Sequence, residues 1–155
     1  MMLQAIPLIV ATLFSLYIAI IDIGIMRIPN RILAIGLAVT SIAMMTSAVI
    51  KGDILHALTA YLGGAISTMT FFLIHMLRES GLGMGDVKFA ALVGMAMSWI
   101  AFPSGLIGLA YGFVASAIFA IILIVMRMKA KSVLIPFAPF MVFGLLIIEY
   151  RALLQ

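Results

Sequence analysis

The sequence predicts an all-α integral membrane protein, a bundle of about six transmembrane helices, and three observations carry that prediction. Of the 155 residues, 66% are hydrophobic and only 9% charged, with a mean hydropathy of +1.37. One soluble core of this size could not hide so much apolar surface. Apolar stretches long enough to cross roughly 30 Å of hydrocarbon, at about 1.5 Å per residue, recur along the chain. None alternates polar and apolar residues as a barrel strand does, so each satisfies its own backbone as a helix.

The first span runs near 4–22 and closes on Asp22. Met1 to Ala5 carries no Lys or Arg, so no cleavable signal peptide is expected there. The second span, near 32–50, follows Ile28-Pro29-Asn30, where Pro29 reads as an early-helix proline. The third, near 54–77, sets Ala60, Gly64 and Thr68 at four-residue spacing, a small face that lets helices approach closely in lipid. The fourth, near 87–102, is short and follows Gly83-Met84-Gly85-Asp86-Val87-Lys88. Gly108, Gly112 and Ser116 repeat the small face in the fifth, near 105–126. In the sixth, near 133–150, Pro136 and Pro139 each remove an amide donor and loosen the helix, as a kink or as a break that admits a strand. Almost nothing remains for a soluble domain, so 1–155 is read as one membrane domain.

Charge gives the bundle a direction. Arg27, Arg31, Arg78, Lys88, Arg127, Lys129 and Lys131 fall in or beside the odd-numbered connections, against Lys51 and Arg151 on the other side. The positive-inside rule then puts the odd connections in the cytoplasm and both termini outside. Asp22 and Asp86 share the cytoplasmic side, whereas Asp53 and Glu149 lie on the other. The net charge of +4 does not imply nucleic acid, because the basic residues are dispersed between apolar runs. The anionic neighbour is the lipid bilayer. No cysteine is present, which removes disulfides, thiolate catalysis and Cys-based metal sites. No His-Glu-x-x-His occurs for zinc and no Gly-x-Ser-x-Gly for a serine hydrolase, so neither a metal nor another cofactor is expected.

The chemistry then rests on five acids. A carboxylate at a helix centre costs roughly 2.5 to 3.5 kcal/mol on insertion scales and less near an end, so acids at span boundaries need a reason. Asp86 alone reads equally as a helix N-cap before Val87, and Asp22 alone as an ordinary polar residue at a helix end. Together on one side they can serve peptide hydrolysis, in which one carboxylate takes a proton from water and another carboxylic acid protonates the carbonyl or leaving amine. Gly83 and Gly85 would let a substrate backbone approach. Lys88 lies off the helical face of Asp86 and reads as a snorkelling side chain. The rival reading is a small proton-coupled transporter or channel component, whose acids would sit near the midplane of a pathway open to both sides.

Asp22 followed by Pro29-Asn30, then Gly83-Met84-Gly85-Asp86-Val87-Lys88, then Ile135-Pro136-Phe137-Ala138-Pro139-Phe140, resembles the type IV prepilin peptidases, the leader peptidases of the GxGD group of membrane aspartyl proteases. The resemblance covers nearly the full chain. It implies that Asp22 and Asp86 are the catalytic pair, with Gly83, Gly85, Lys88, Pro29, Asn30, Pro136 and Pro139 supporting them or the substrate. It further implies a prokaryotic cytoplasmic (inner) membrane, a site facing the cytoplasm, and a pilin-like or preflagellin-like precursor that loses its short basic leader. Larger bacterial members carry an extra cytoplasmic segment with paired Cys-x-x-Cys motifs and also methylate the new amino terminus. With no cysteine and no room for that segment, this chain resembles the short, peptidase-only forms of tight-adherence pilus systems and archaeal preflagellin peptidases. Which aspartate is base and which acid stays open.

Overall fold

The computed structural model describes residues 2–77, 82–126 and 135–154. Six helices follow one another: α1 Met2–Ile25, α2 Asn30–Lys51, α3 Ile54–Leu77, α4 Met84–Ile100, α5 Ser104–Val125 and α6 Ala138–Leu153. Among the described residues there is no strand. The helices α1 (from Ala5), α2, α3 and α5 are long and apolar enough to cross a membrane. The protein is an all-α, multi-pass membrane protein. Arg78, Arg127, Lys129 and Lys131, which contribute to the charge asymmetry, lie outside the described residues, as does Glu79.

The fourth helix is the centre of the bundle. Eleven of the 17 residues of α4 are buried, and α4 packs against each of the other five helices. At about 1.5 Å per residue it spans about 25 Å, less than the hydrocarbon thickness. Surrounded by protein, it does not have to match the lipid.

Small residues set the helix spacing, and more of them are used than the two sequence faces suggested. Ser98 on α4 fills hollows left by Gly63 on α3 and Gly105 on α5, and Ser67 on α3 fills the hollow at Gly94 on α4. A Cβ at Gly105 would stand 2.9 Å from the Gly94 carbonyl oxygen, and one at Gly112 would stand 2.7 Å from that of Phe140. Backbone therefore lies almost on backbone between α4 and α5 and between α5 and α6, which is how helices associate where lipid offers no hydrophobic drive. Of the faces read from sequence, Gly64 and Gly108 lie at such contacts, Gly64 against the Ala91 carbonyl and Gly108 against Met97 and Ile148. Thr68 and Ser116 instead return their hydroxyls to their own helices, to the carbonyls of Gly64 and Phe113.

Helix boundaries depart from the sequence reading where caps and prolines act. The first helix continues past Asp22 to Ile25, and the Met26 amide donates to the Asp22 carbonyl at 2.8 Å. Met26 then takes φ 51, a left-handed conformation that ends helices and costs a non-glycine residue of order 1 kcal/mol. This turn throws the chain back toward α2. Pro29 stands just outside α2, as its N-cap residue, rather than early within it. The sixth helix begins at Ala138 instead of 133, because Pro136 disfavours helical backbone in the residue before it. Pro139 falls in the first turn of α6, where its missing N–H has no helical partner to lose. Pro136 thus precedes α6 and Pro139 stands in its first turn, so neither lies in the interior of the described helix. The far connection between α2 and α3 is tight: Gly52 at φ 69 ends α2, and Asp53 Oδ1 accepts the His56 amide at 3.1 Å to cap α3.

Candidate functional site

The end of α1, the start of α2 and the start of α4 enclose a cavity of about 270 Å³. Asp22 and Asp86 both line it, together with Arg27, Ile28, Asn30, Gly83, Gly85 and Lys88. The two acids that the sequence placed at one side thus face one space, although they stand 64 positions apart in the chain.

Asp22 is held by an element that the sequence did not single out for this purpose. Asp22 as a residue is only 5% exposed, and its carboxylate accepts the backbone N–H of Ala138 at 3.2 Å. Ala138 is the first residue of α6, so a free amide of that helix terminus points at the acid. The terminus is fixed in turn by aromatic packing. The Phe137 ring lies 5.0 Å from Phe113 of α5 and 5.9 Å from Phe71 of α3, centroid to centroid. Pro136 and Pro139 flank Phe137 and Ala138, the N-cap and first residue of α6.

Asp86 occupies the third position of α4 rather than its N-cap, which is Gly83. Its Oδ2 reaches back to accept the Gly83 amide at 3.1 Å. Capping and a chemical role are therefore compatible: one oxygen ties down the helix start, and the carboxylate still lines the cavity. Asp86 precedes the apolar run that begins at Val87. Burial pushes its carboxyl up to about 6, against the pull of the Gly83 amide, and the charge of Asp22 adds to the rise.

The glycines divide in function. Gly85 is pressed by the turn after α1, since a Cβ there would stand 3.1 Å from Cβ of Ile28. Gly83 has φ −73, which any residue can adopt, and a Cβ on it would lie 3.4 Å from Asp86 Oδ2. What a side chain at Gly83 would take away is open approach to the carboxylate. Lys88 is not left to the lipid headgroups: its Nζ donates to Asn30 Oδ1 at 3.1 Å and clips the start of α2 to α4. This bond joins two residues that the sequence named separately. His75 donates from Nδ1 to the Leu82 carbonyl at 2.6 Å, a structural tie in the chain leading to α4.

Among the described residues the other two acids, Asp53 and Glu149, lie at the other end of the bundle. Asp53 caps α3, and Glu149 accepts the hydroxyl of Thr12. Among the described residues no three His, Cys, Asp or Glu side chains gather as a metal site would require.

Comparison with known proteins adds a family assignment. The model of the type IV leader peptidase family matches residues 9–126, which include Asp22, the Pro29-Asn30 turn and Gly83 to Lys88. Neither the curated proteins nor the solved structures yield a match.

Proposed function

The chain belongs to the type IV leader peptidase family, and from that premise we propose that it is an aspartyl endopeptidase that removes the basic leader of type IV prepilin-like or preflagellin-like precursors. The observation that carries this reading is the meeting of Asp22 and Asp86 in one cavity at one end of the bundle. A proton-coupled pathway would instead place its acids along a route open to both ends. With one carboxyl ionised and the other protonated, the first takes a proton from water as the water oxygen bonds to the scissile carbonyl carbon. The second gives its proton to the departing nitrogen as the carbon–nitrogen bond breaks, and the products are one acid and one amine. Gly83 leaves the approach to Asp86 open, and the Ala138 amide fixes the direction of the Asp22 carboxylate.

The site faces the cytoplasm in this proposal, in a prokaryotic inner membrane with both termini outside. A precursor with a basic leader keeps its positive charge at the cytoplasmic headgroups while its apolar segment lies in the bilayer, so the junction rests at the depth of the two acids. Mass spectrometry should show that purified enzyme, without added metal, cuts such a precursor once, immediately after a Gly at that junction. The new amino terminus should stay unmethylated when a methyl donor is supplied. An intact precursor beside folded enzyme, or cleavage deep in the apolar helix, would remove the assignment.

Sidedness is checked separately by reporter fusions. Those placed after Arg31, Ser80 and Lys129 should report cytoplasm, and those after Lys51 and Ser104 the outside. Opposite results for Arg31 and Ser80 would contradict the shared cavity.

A further inference from the structure

A second opening leads away from the catalytic cavity. Between α2, α3 and α4 lies a groove of about 590 Å³ whose wall is almost wholly apolar. It shares Met84 and Lys88 with the cavity of the two aspartates, so the two spaces adjoin at the start of α4. From there its α4 wall continues to Met95, and its α3 wall runs antiparallel from Phe72 to Tyr61. Twelve residues of helix on either wall, eleven steps of about 1.5 Å, make a trough about 16 Å long, directed from the acids into the membrane interior. Its side is open: Met69 is 56% exposed and Phe72 38%, and Ala65 between them and Tyr61 is exposed as well. The trough exists because α3 lies tightly on α4 while α2 meets both more thinly.

We propose that this groove seats the apolar helix of the substrate on the carboxyl side of the scissile bond. The proposal rests on the peptidase reading above. A chain cut between Asp22 and Asp86 must continue into the bilayer from that point if its following segment is a membrane helix, and the groove begins where the cavity ends. Its apolar wall suits an apolar helix, and small side chains at Ala65, Thr68 and Ala91 let such a helix come close. The turn of chain nearest the bond would pass between Met84 and the Lys88–Asn30 clip. The groove thereby sets depth: a helix seated along α4 presents its first residue to the acids and holds later residues away from them.

The absence of native cysteine makes a direct test clean. Ala65→Cys is placed in the inactive Asp86→Asn enzyme, with Ile121→Cys on the exposed face of α5 as the comparison. The probe is a synthetic precursor of a basic leader, a Gly and an apolar helix of about 20 residues, carrying one cysteine two to three turns after the Gly. Under mild oxidation in lipid, Ala65→Cys should give several-fold more disulfide-linked adduct than Ile121→Cys. In active enzyme, Ala65→Trp should lower kcat/KM for the same precursor roughly 10-fold to 100-fold by displacing the helix from the acids, whereas Ile121→Trp should not change it. Cleavage by the unaltered enzyme combined with equal adducts at both positions, or with none, would overturn the groove alone and leave it to lipid. No cleavage by the unaltered enzyme would overturn the peptidase reading and the groove with it.

Discussion

Asp22→Asn and Asp86→Asn should each reduce cleavage by at least about 10³-fold, and the double variant should be no worse than either single one. General acid–base groups contribute about 10² to 10⁴ in rate, and members of one unit fail together. Loss of folding would not explain the effect, because an asparagine oxygen can still accept the Ala138 amide at position 22 or the Gly83 amide at position 86. Asp53→Asn and Glu149→Gln supply the contrast. Asn caps a helix about as well as Asp, Gln can still accept from Thr12, and both acids lie at the far end, so these variants should keep activity. The pair also has a pH signature. Asp86 holds its proton up to about 6, so below that value one proton remains available to the leaving amine. As pH rises through about 6 Asp86 loses that proton, and kcat/KM should fall. A fully active Asp22→Asn enzyme, or activity flat from pH 5 to 8, would remove the dyad.

The second large effect is on the scaffold. Gly144→Val should lower the stability of the folded bundle by about 3 kcal/mol, the upper end of the usual overpacking cost. A Cβ at position 144 would be driven into the Gly108 carbonyl, and backbone on both sides leaves no flexible side chain to give way. The clash should lever α6 from α5 and carry the Ala138 amide off Asp22, so activity should fall together with the unfolding midpoint in detergent. Phe143→Val and Leu146→Val, at exposed neighbouring positions on α6, should change either quantity little. Unchanged stability in Gly144→Val would mean that α5 and α6 are not packed this closely.

The fold, and the placing of the two acids of the candidate site at one end of the bundle, were legible in the sequence for definite reasons. Span number follows from apolar length, and the parity of the connections puts Asp22 and Asp86 at one end. The supports were harder to see, because they depend on pairings across distant segments. The donor to Asp22 is a main-chain amide, which every residue but proline possesses, so no side chain advertises Ala138. Lys88 and Asn30 were singled out separately, yet their bond depends on how the turn at Met26 returns the chain. Pro136 and Pro139 were noticed but placed inside a span that begins five residues too early. A hydrophobic window cannot distinguish an apolar approach segment from the helix it introduces. The periodic small faces pointed to Gly64, Gly108 and Gly112. Gly63, Gly94, Gly105 and Gly144 were overlooked, since each matters through what the opposing helix brings to it.

The amide that orients Asp22 lies 116 residues further along the chain, beyond the 9–126 segment shared with the family. During synthesis the ribosome has therefore delivered both acids, and their cavity wall, well before the residue that fixes one of them. A nascent chain ending after α5 holds its carboxylates without that clamp. On the peptidase reading proposed above, cleavage then awaits insertion of α6, whose first amide completes the hold on Asp22.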